Sequence, residues 1–426
     1  MGRLPMVESF GALLRKHRLD AGISLGELSR RINYSKGQVS KIENGHARAH
    51  PMFAKLCDRA LGLDGVLAAA LPPETTGAPL ADTAATSLDD VWVLELEDGS
   101  LRFTELPRRQ VLAGAGALLG FAVTRTARPV VDDATLTILR SSFDQYRALG
   151  RMTSPAVVLA QVIAQVHTLR SLAVANPEPM RSDLLILAGR VAEFAGWMSQ
   201  EAGQENGATH WTDQAVKLTT GRDPHMASFC LFRHAEIALY RHDARQTIEL
   251  AQRAQQDKTA NPRILGLAAR CEAQGHALAG DLRAYQETLD RAATLLSIPQ
   301  HDDGPVLGSA TIQDEVALTR AWALYELGQP GDAAELFDQQ LETIPLTACR
   351  SRARFGIRRA LAHAQNGEID QACVAAHEVL ADAARVDSAT IRLDLRDLSR
   401  TLSRWHTHRA AVDLRRELVP VLNTPS

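Results

Sequence analysis

Ten residues in one short stretch carry most of the chemistry this sequence advertises: Ser24, Ser35, Lys36, Gly37, Gln38, Ser40, Lys41, Asn44, His46 and Arg48. They combine hydroxyls, an amide pair and cations, and include no carboxylate. Glutamine can pair bidentately with adenine, and lysine can meet guanine O6 and N7; each such pair supplies about 1–3 kcal/mol of discrimination. Hydroxyls, amides, imidazole and guanidinium also suit phosphate oxygens, which position a protein without reading sequence.

Nothing comparable points to catalysis. There is no P-loop, no G-x-S-x-G and no HExxH. His406 and His408 are two apart and do not share a helix face, and His301-Asp302-Asp303 reads as a polar loop. The five cysteines (Cys57, Cys230, Cys271, Cys349, Cys373) include no C-x-x-C pair, which excludes the usual zinc spacings and a disulfide framework and fits a reducing cytosol. No metal, no cofactor and no enzymatic activity are expected. LPRRQVLAGAGALLGFAV (106–123) imitates an export signal through Arg108 and Arg109, but it follows another domain, and Pro107 suits the first position of a buried helix. Its glycines Gly114, Gly116 and Gly120 miss a dinucleotide fingerprint by one residue, since Leu119 stands where glycine is needed.

The ten residues need scaffolding, and SLGELSRRINYSKGQVSKIENG (24–45) supplies it. Leu28 and Ile32 lie four apart on one helix, Val39 and Ile42 three apart on the next, so the two helices share a small core. Ser24 with Glu27, and Ser35 with Gln38, form S-x-x-E and S-x-x-Q capping boxes. Asn33 stands between them where a left-handed residue is required. This is a helix-turn-helix with its start and stop signals in place. It resembles the Cro/C1-type (XRE) family over about residues 8–70, with Phe10, Leu13, Leu14 and Arg18 in the first helix and 52–61 packing behind the reader.

That resemblance implies that Ser35–Asn44 is the recognition helix in the major groove of double-stranded DNA. Lys36, Gly37, Gln38, Ser40 and Lys41 point away from the core, and Ser24, Asn44, His46 and Arg48 fall to phosphates. Leu25 replaces the glutamine common in the family, removing one polar contact, and Gly37 leaves a gap for water or a thymine methyl group.

Charge agrees with a reader at one end only. The chain of 426 residues carries −3. Residues 1–62 hold eleven Lys/Arg against five Asp/Glu, and residues 63–426 hold 36 against 45. An acidic body repels DNA and confines contact to the head. No apolar run reaches the roughly 18 residues of a spanning helix, and MGRLPMVESF lacks a signal stretch; a cytoplasmic protein without membrane contact is expected.

Domain boundaries follow from composition. Residues 1–71 form the head and 72–90 a flexible linker. Residues 91–124 hold a β-hairpin turning at Asp98-Gly99, then the apolar helix. From 125 to 426 the pattern is helical, with turns at Gly203, His242-Asp243, Gly280-Asp281, Gly328 and Gly367, spaced 39, 38, 48 and 39 residues apart. The long interval contains the insertion 299–313. Ala273, Ala321, Ala360, Ala333 and Ala372 sit where paired helices approach, and Pro345 ends a unit. These copies resemble tetratricopeptide (TPR) repeats, which stack into a superhelix. Helices at 132–150 and 155–175 are expected to cap one end, and 389–420 the other. The expected class is all-α: a five-helix lambda-repressor-like head, a short hairpin and linker, and a TPR-like α-superhelix.

In such arrays the first helix of each repeat lines the concave face. That selects Arg190, Glu193, Trp197, Phe232, Glu236, Tyr240, Arg270, Gln274, Glu315, Trp322, Tyr325 and Arg354. Aromatics with both charge signs suit an extended peptide, a small molecule or a partner protein. The chain resembles the actinobacterial helix-turn-helix regulators with TPR-like C-terminal domains, with RVAEFAGWMSQEAGQENGATHWTDQAVKLT (190–219) matching their first repeat. The resemblance implies a homodimeric, sequence-specific transcription regulator; the alternative is a TPR-like interaction scaffold with weak or no specific DNA binding.

Overall fold

The structure, a computed structural model, describes residues 9–63, 65–71, 91–97, 100–106, 130–257, 260–299, 307–308 and 312–422. The expected linker 72–90, the Asp98-Gly99 turn, the apolar segment after Arg108-Arg109 and most of the insertion 299–313 lie outside these residues.

The head contains α1 (Phe10–Asp20), α2 (Leu25–Arg31), α3 (Lys36–Glu43), α4 (Pro51–Leu61) and α5 (Val66–Ala69). Ser24 Oγ accepts from the Glu27 amide at 3.1 Å and Ser35 Oγ from the Gln38 amide at 3.2 Å, satisfying orphan donors that each cost about 1 kcal/mol when left open. Glu27 spends its carboxylate on Arg30 and Arg31 instead of closing its box. Asn33 has φ 52°, the left-handed turn that lets α3 cross α2. Leu14, Leu28, Ile32, Val39, Ile42, Phe53 and Leu67 fill the core. Helix α1 presses so closely on the end of α3 that a Cβ on Gly11 would stand 2.5 Å from the Ile42 carbonyl oxygen.

Strands β1 (Val91–Glu97) and β2 (Ser100–Leu106) pair antiparallel, with Val91 opposite Leu106 and Glu97 opposite Ser100. That register leaves two residues for the turn.

The body begins with α6 (Asp133–Met152) and α7 (Pro155–Ala175). Five helical hairpins follow: α8 (Met180–Glu201) with α9 (Glu205–Thr219), α10 (Met226–Tyr240) with α11 (Ala244–Ala254), α12 (Pro262–Ala279) with α13 (Leu282–Leu296), α14 (Glu315–Glu326) with α15 (Pro330–Leu341), and α16 (Cys349–Asn366) with α17 (Ile369–Val386). Then come α18 (Ala389–Leu402) and α19 (Arg409–Leu422). The five turn positions read from the sequence separate the five hairpins, and each has a residue at positive φ: Gly203, His242, Gly280, Gly328 and Gly367. Ala273, Ala321, Ala333, Ala360 and Ala372 are fully buried, so a methyl group is all that separates the paired helices there. By length and composition α7, with a mean hydropathy of 1.5, could cross a membrane; its polar residues break the unbroken run looked for in the sequence. Its Val158, Val162, Ile163, Val166 and Leu169 belong to the main core.

The two ends of the body do not cap an open superhelix. Helix α6 packs on α16 and α17, and α8 packs on α18, so the series closes on itself. The seam is a buried polar cluster. Arg350 on α16 donates to the Gly150 and Thr153 carbonyls at the end of α6, at 2.8 and 2.6 Å, and to Glu201 Oε2 at 2.7 Å. Glu201 also accepts from Arg354 at 2.6 Å and Ser388 at 2.6 Å.

Candidate nucleic-acid interface and inner chamber

On the head, Ser35, Lys36, Gly37, Lys41 and Asn44 of α3 and its flanks are exposed, Gln38 and Ser40 half-buried. Ser24, His46 and Arg48 are exposed beside them. The ten residues therefore share one open surface. The Asn44 amide folds back to donate to the Ser40 carbonyl at 2.8 Å, so it serves the helix end as well as the surface. What holds α3 in place was not read from the sequence. Arg18 of α1 forms a bidentate, buried pair with Glu43, Nε to Oε1 at 2.6 Å and Nη2 to Oε2 at 2.9 Å, and donates to the Ile23 carbonyl. The hydrogen bond to Glu43 holds the Arg18 guanidinium above its ordinary pKa against the cost of burial. An arginine and a glutamate twenty-five residues apart leave no local signal.

The body encloses a cavity of about 600 Å³. Its walls come from α6, α8, α10, α12, α14 and α16 and from Leu307, Gly308 and Ile312; the second helices of the hairpins contribute none of the described lining. Arg190, Glu193, Trp197, Phe232, Glu236, Tyr240, Arg270, Gln274, Glu315, Trp322 and Arg354 all face it. Tyr325 does not. It packs where the head core meets two body cores and lines a second, smaller pocket beyond Trp322; periodicity along α14 could not reveal that the head covers this end.

Charges cross the chamber in alternation. Glu193 meets Arg233 at 3.2 Å, Arg233 meets Glu236, Arg270 lies 3.7 Å from both Glu236 and Glu315, and Arg263 meets Glu315 at 3.2 Å. Burial pushes Glu193 up, only partly countered by Arg233. The α16 wall is a ladder of arginines at four-residue spacing. Arg350 stacks over Trp197 at 5.7 Å, Arg354 over Tyr240 at 5.5 Å and Arg358 over Trp322 at 3.3 Å. The R-x-x-x-R-x-x-x-R spacing was the available signal for Arg350 and Arg358. Arg147 and Arg151 escaped notice because α6 reads as an end cap. Burial alone would raise Glu201, but Arg354, Arg350 and the Ser388 hydroxyl outweigh it and hold it at about 2.

Trp322 also leads out of the chamber. Its Nε1–H donates to Glu326 Oε1 at 3.4 Å, and Glu326 Oε2 takes Lys55 Nζ of α4 at 3.2 Å. Burial would raise Glu326; Lys55 and His242 beside it, with hydrogen bonds from Lys55 and Trp322, hold it below its ordinary value. Around this contact Arg59 donates to the Gly328 carbonyl at 3.1 Å, and Arg404 stacks over Tyr34 at 4.3 Å and donates to the Asn33 carbonyl at 3.4 Å. The head thus docks on the α14–α15 and α16–α17 turns with α3 facing outward.

Among the described residues no group of three or more His, Cys, Asp or Glu is placed to hold a metal. Residues 9–71 match the family described as "Helix-turn-helix domain", and the chain therefore carries an N-terminal helix-turn-helix DNA-binding domain. No curated protein and no solved structure matches the chain.

Proposed function

We propose that this chain is a sequence-specific transcription regulator of the Cro/C1 type whose TPR-like body senses a ligand and adjusts DNA binding by the head. One observation supports this reading above the others: the hydrogen-bonded path from the chamber wall through Trp322 and Glu326 to Lys55, in a head whose reading helix stays open. A ligand that stacks on Trp322 competes with Arg358 for that ring and so changes what Glu326 offers Lys55. Such a ligand shifts the head only by binding one arrangement more tightly than the other.

The regulator acts in the cytoplasm as a homodimer, its two heads meeting half-sites about 34 Å apart. It performs no catalysis.

The test is a mobility-shift selection of genomic fragments by the full chain at several salt concentrations, repeated with cell-extract fractions. A selected site bound at least about a thousandfold tighter than bulk DNA, with affinity changed by some fraction, is the expected result. Equal binding to all fragments at every salt concentration returns the chain to the scaffold reading.

A further inference from the structure

We infer that the chamber takes a compact organic anion with an aromatic or otherwise apolar body, its charged group at Arg147 and Arg151 and its body along Phe143, Phe194 and Trp197. This rests on the sensor reading above and narrows its ligand class.

Shape comes first. An open superhelical groove accepts an extended chain, but here the walls meet at the Arg350–Glu201 seam. Arg147 reaches across to the Gly308 carbonyl at 2.8 Å, tying α6 to the opposite loop. A chamber of about 600 Å³ lies within the roughly 300–1,000 Å³ of small-molecule sites.

Sign comes second. Among the described lining residues nine arginines face five carboxylates, and none is lysine. Most of the deep arginines have dedicated carboxylates: Glu201 for Arg350 and Arg354, Asp394 for Arg358, and Glu193 and Glu236 for Arg233. Helix α6 differs. It directs Arg140, Arg147 and Arg151 to the cavity with a single, exposed Asp144 beside them. Arg151 has lost water to its surroundings and sits near Arg147, and both effects lower its pKa, countered only by Asp144. A cation kept like this gains from any anion that enters, and guanidinium favours planar, bidentate oxyanions.

The body of the ligand is set by the rings next to these arginines. Arg147 lies over Phe143 at 5.9 Å, Phe143 meets Phe194 edge-on at 5.7 Å, and Phe194 meets Trp197 at 5.6 Å. This apolar strip begins at the cationic end and runs inward, so one molecule can use both.

The experiment titrates the full chain with two fluorescent probes that share an aryl frame: anilinonaphthalene sulfonate, an anion, and phenylnaphthylamine, which is neutral. The sulfonate should saturate at one molecule per protomer and bind about tenfold or more tighter than the amine. Arg151→Gln should lower sulfonate affinity about fivefold or more and leave the amine unchanged. Arg283→Gln, on the exposed face of α13, should change neither. Equal binding of the two probes, an unchanged ratio in Arg151→Gln, or no saturable binding of either overturns the assignment. Extract-dependent DNA binding that persists in that case leaves the sensor reading standing. Selective sulfonate binding, with DNA affinity that no extract fraction alters, removes the sensor reading instead.

Discussion

Head and body use the same chemical device, an arginine held by a buried glutamate, over very different chain distances. In the head, Arg18 and Glu43 join two helices within one small domain and fix a surface that faces outward. In the body, Glu201 gathers Arg350, Arg354, Ser388 and Thr390 from 149 to 189 residues away and closes a space that faces inward. The first pair orients a reader, and the second decides whether there is an enclosed chamber at all. Losing one carboxylate should therefore do local damage in the head and global damage in the body.

The largest effect is expected at the seam. Glu201→Gln leaves two buried guanidinium groups without their counter-charge and should cost about 3–5 kcal/mol, read as a lower denaturation midpoint of the body. The pH profile adds a second readout. Glu201 titrates at about 2 in the fold against 4.5 ordinarily. Its stabilisation is complete above pH 4.5 and disappears as the pH falls from there toward 2. The variant should be flatter over that interval; an equally steep acid limb would mean that other carboxylates drive it.

Next is Gly11→Ala. The new methyl must displace the Ile42 and Glu43 carbonyls, an overpacking that should cost about 1–3 kcal/mol in the head while body denaturation stays unchanged. If both regions weaken equally, they do not behave as separate units. Comparable in size, but seen in DNA binding alone, Gln38→Ala and Lys41→Ala should each remove about 1–3 kcal/mol of preference for a selected site; unchanged selectivity would show that α3 is not the reader.

A smaller change links the two regions. Glu326→Gln weakens the charged contact to half-buried surroundings of Lys55 and should cost about 1–2 kcal/mol of docking, visible as faster hydrogen exchange in α4 with the α3 cap intact. The smallest is a control: Arg283→Ala breaks an exposed pair with Glu287 and should shift stability by less than about 0.5 kcal/mol.

What the sequence makes legible divides along the same line. The Ser24 and Ser35 caps, the left-handed Asn33 and the five hairpin turns depend on residues within a few positions of each other, and each can be read directly. The chamber face of α8, α10, α12 and α14 follows from helical periodicity, which states which side chains share a face. Periodicity does not state what that face meets. Tyr325 was placed with its helix-mates in the groove and instead supports the head. Arg147 and Arg151 were assigned to an end cap because contact between α6 and α16 depends on superhelical curvature accumulated over five hairpins. The Arg18–Glu43 and Arg350–Glu201 pairs were missed for the same reason: an arginine has many glutamates to choose from, and only the finished packing selects one.

The closed seam also bears on how this molecule can change over generations. An open array of hairpins can gain or lose a unit at either end at modest cost, because each unit answers only to its neighbours. Here the last hairpin must return to the first, so a duplicated or deleted unit would carry Arg350 past the Gly150 carbonyl it has to reach. The number of hairpins is thus held fixed, while new specificities remain open to substitution on the inner wall.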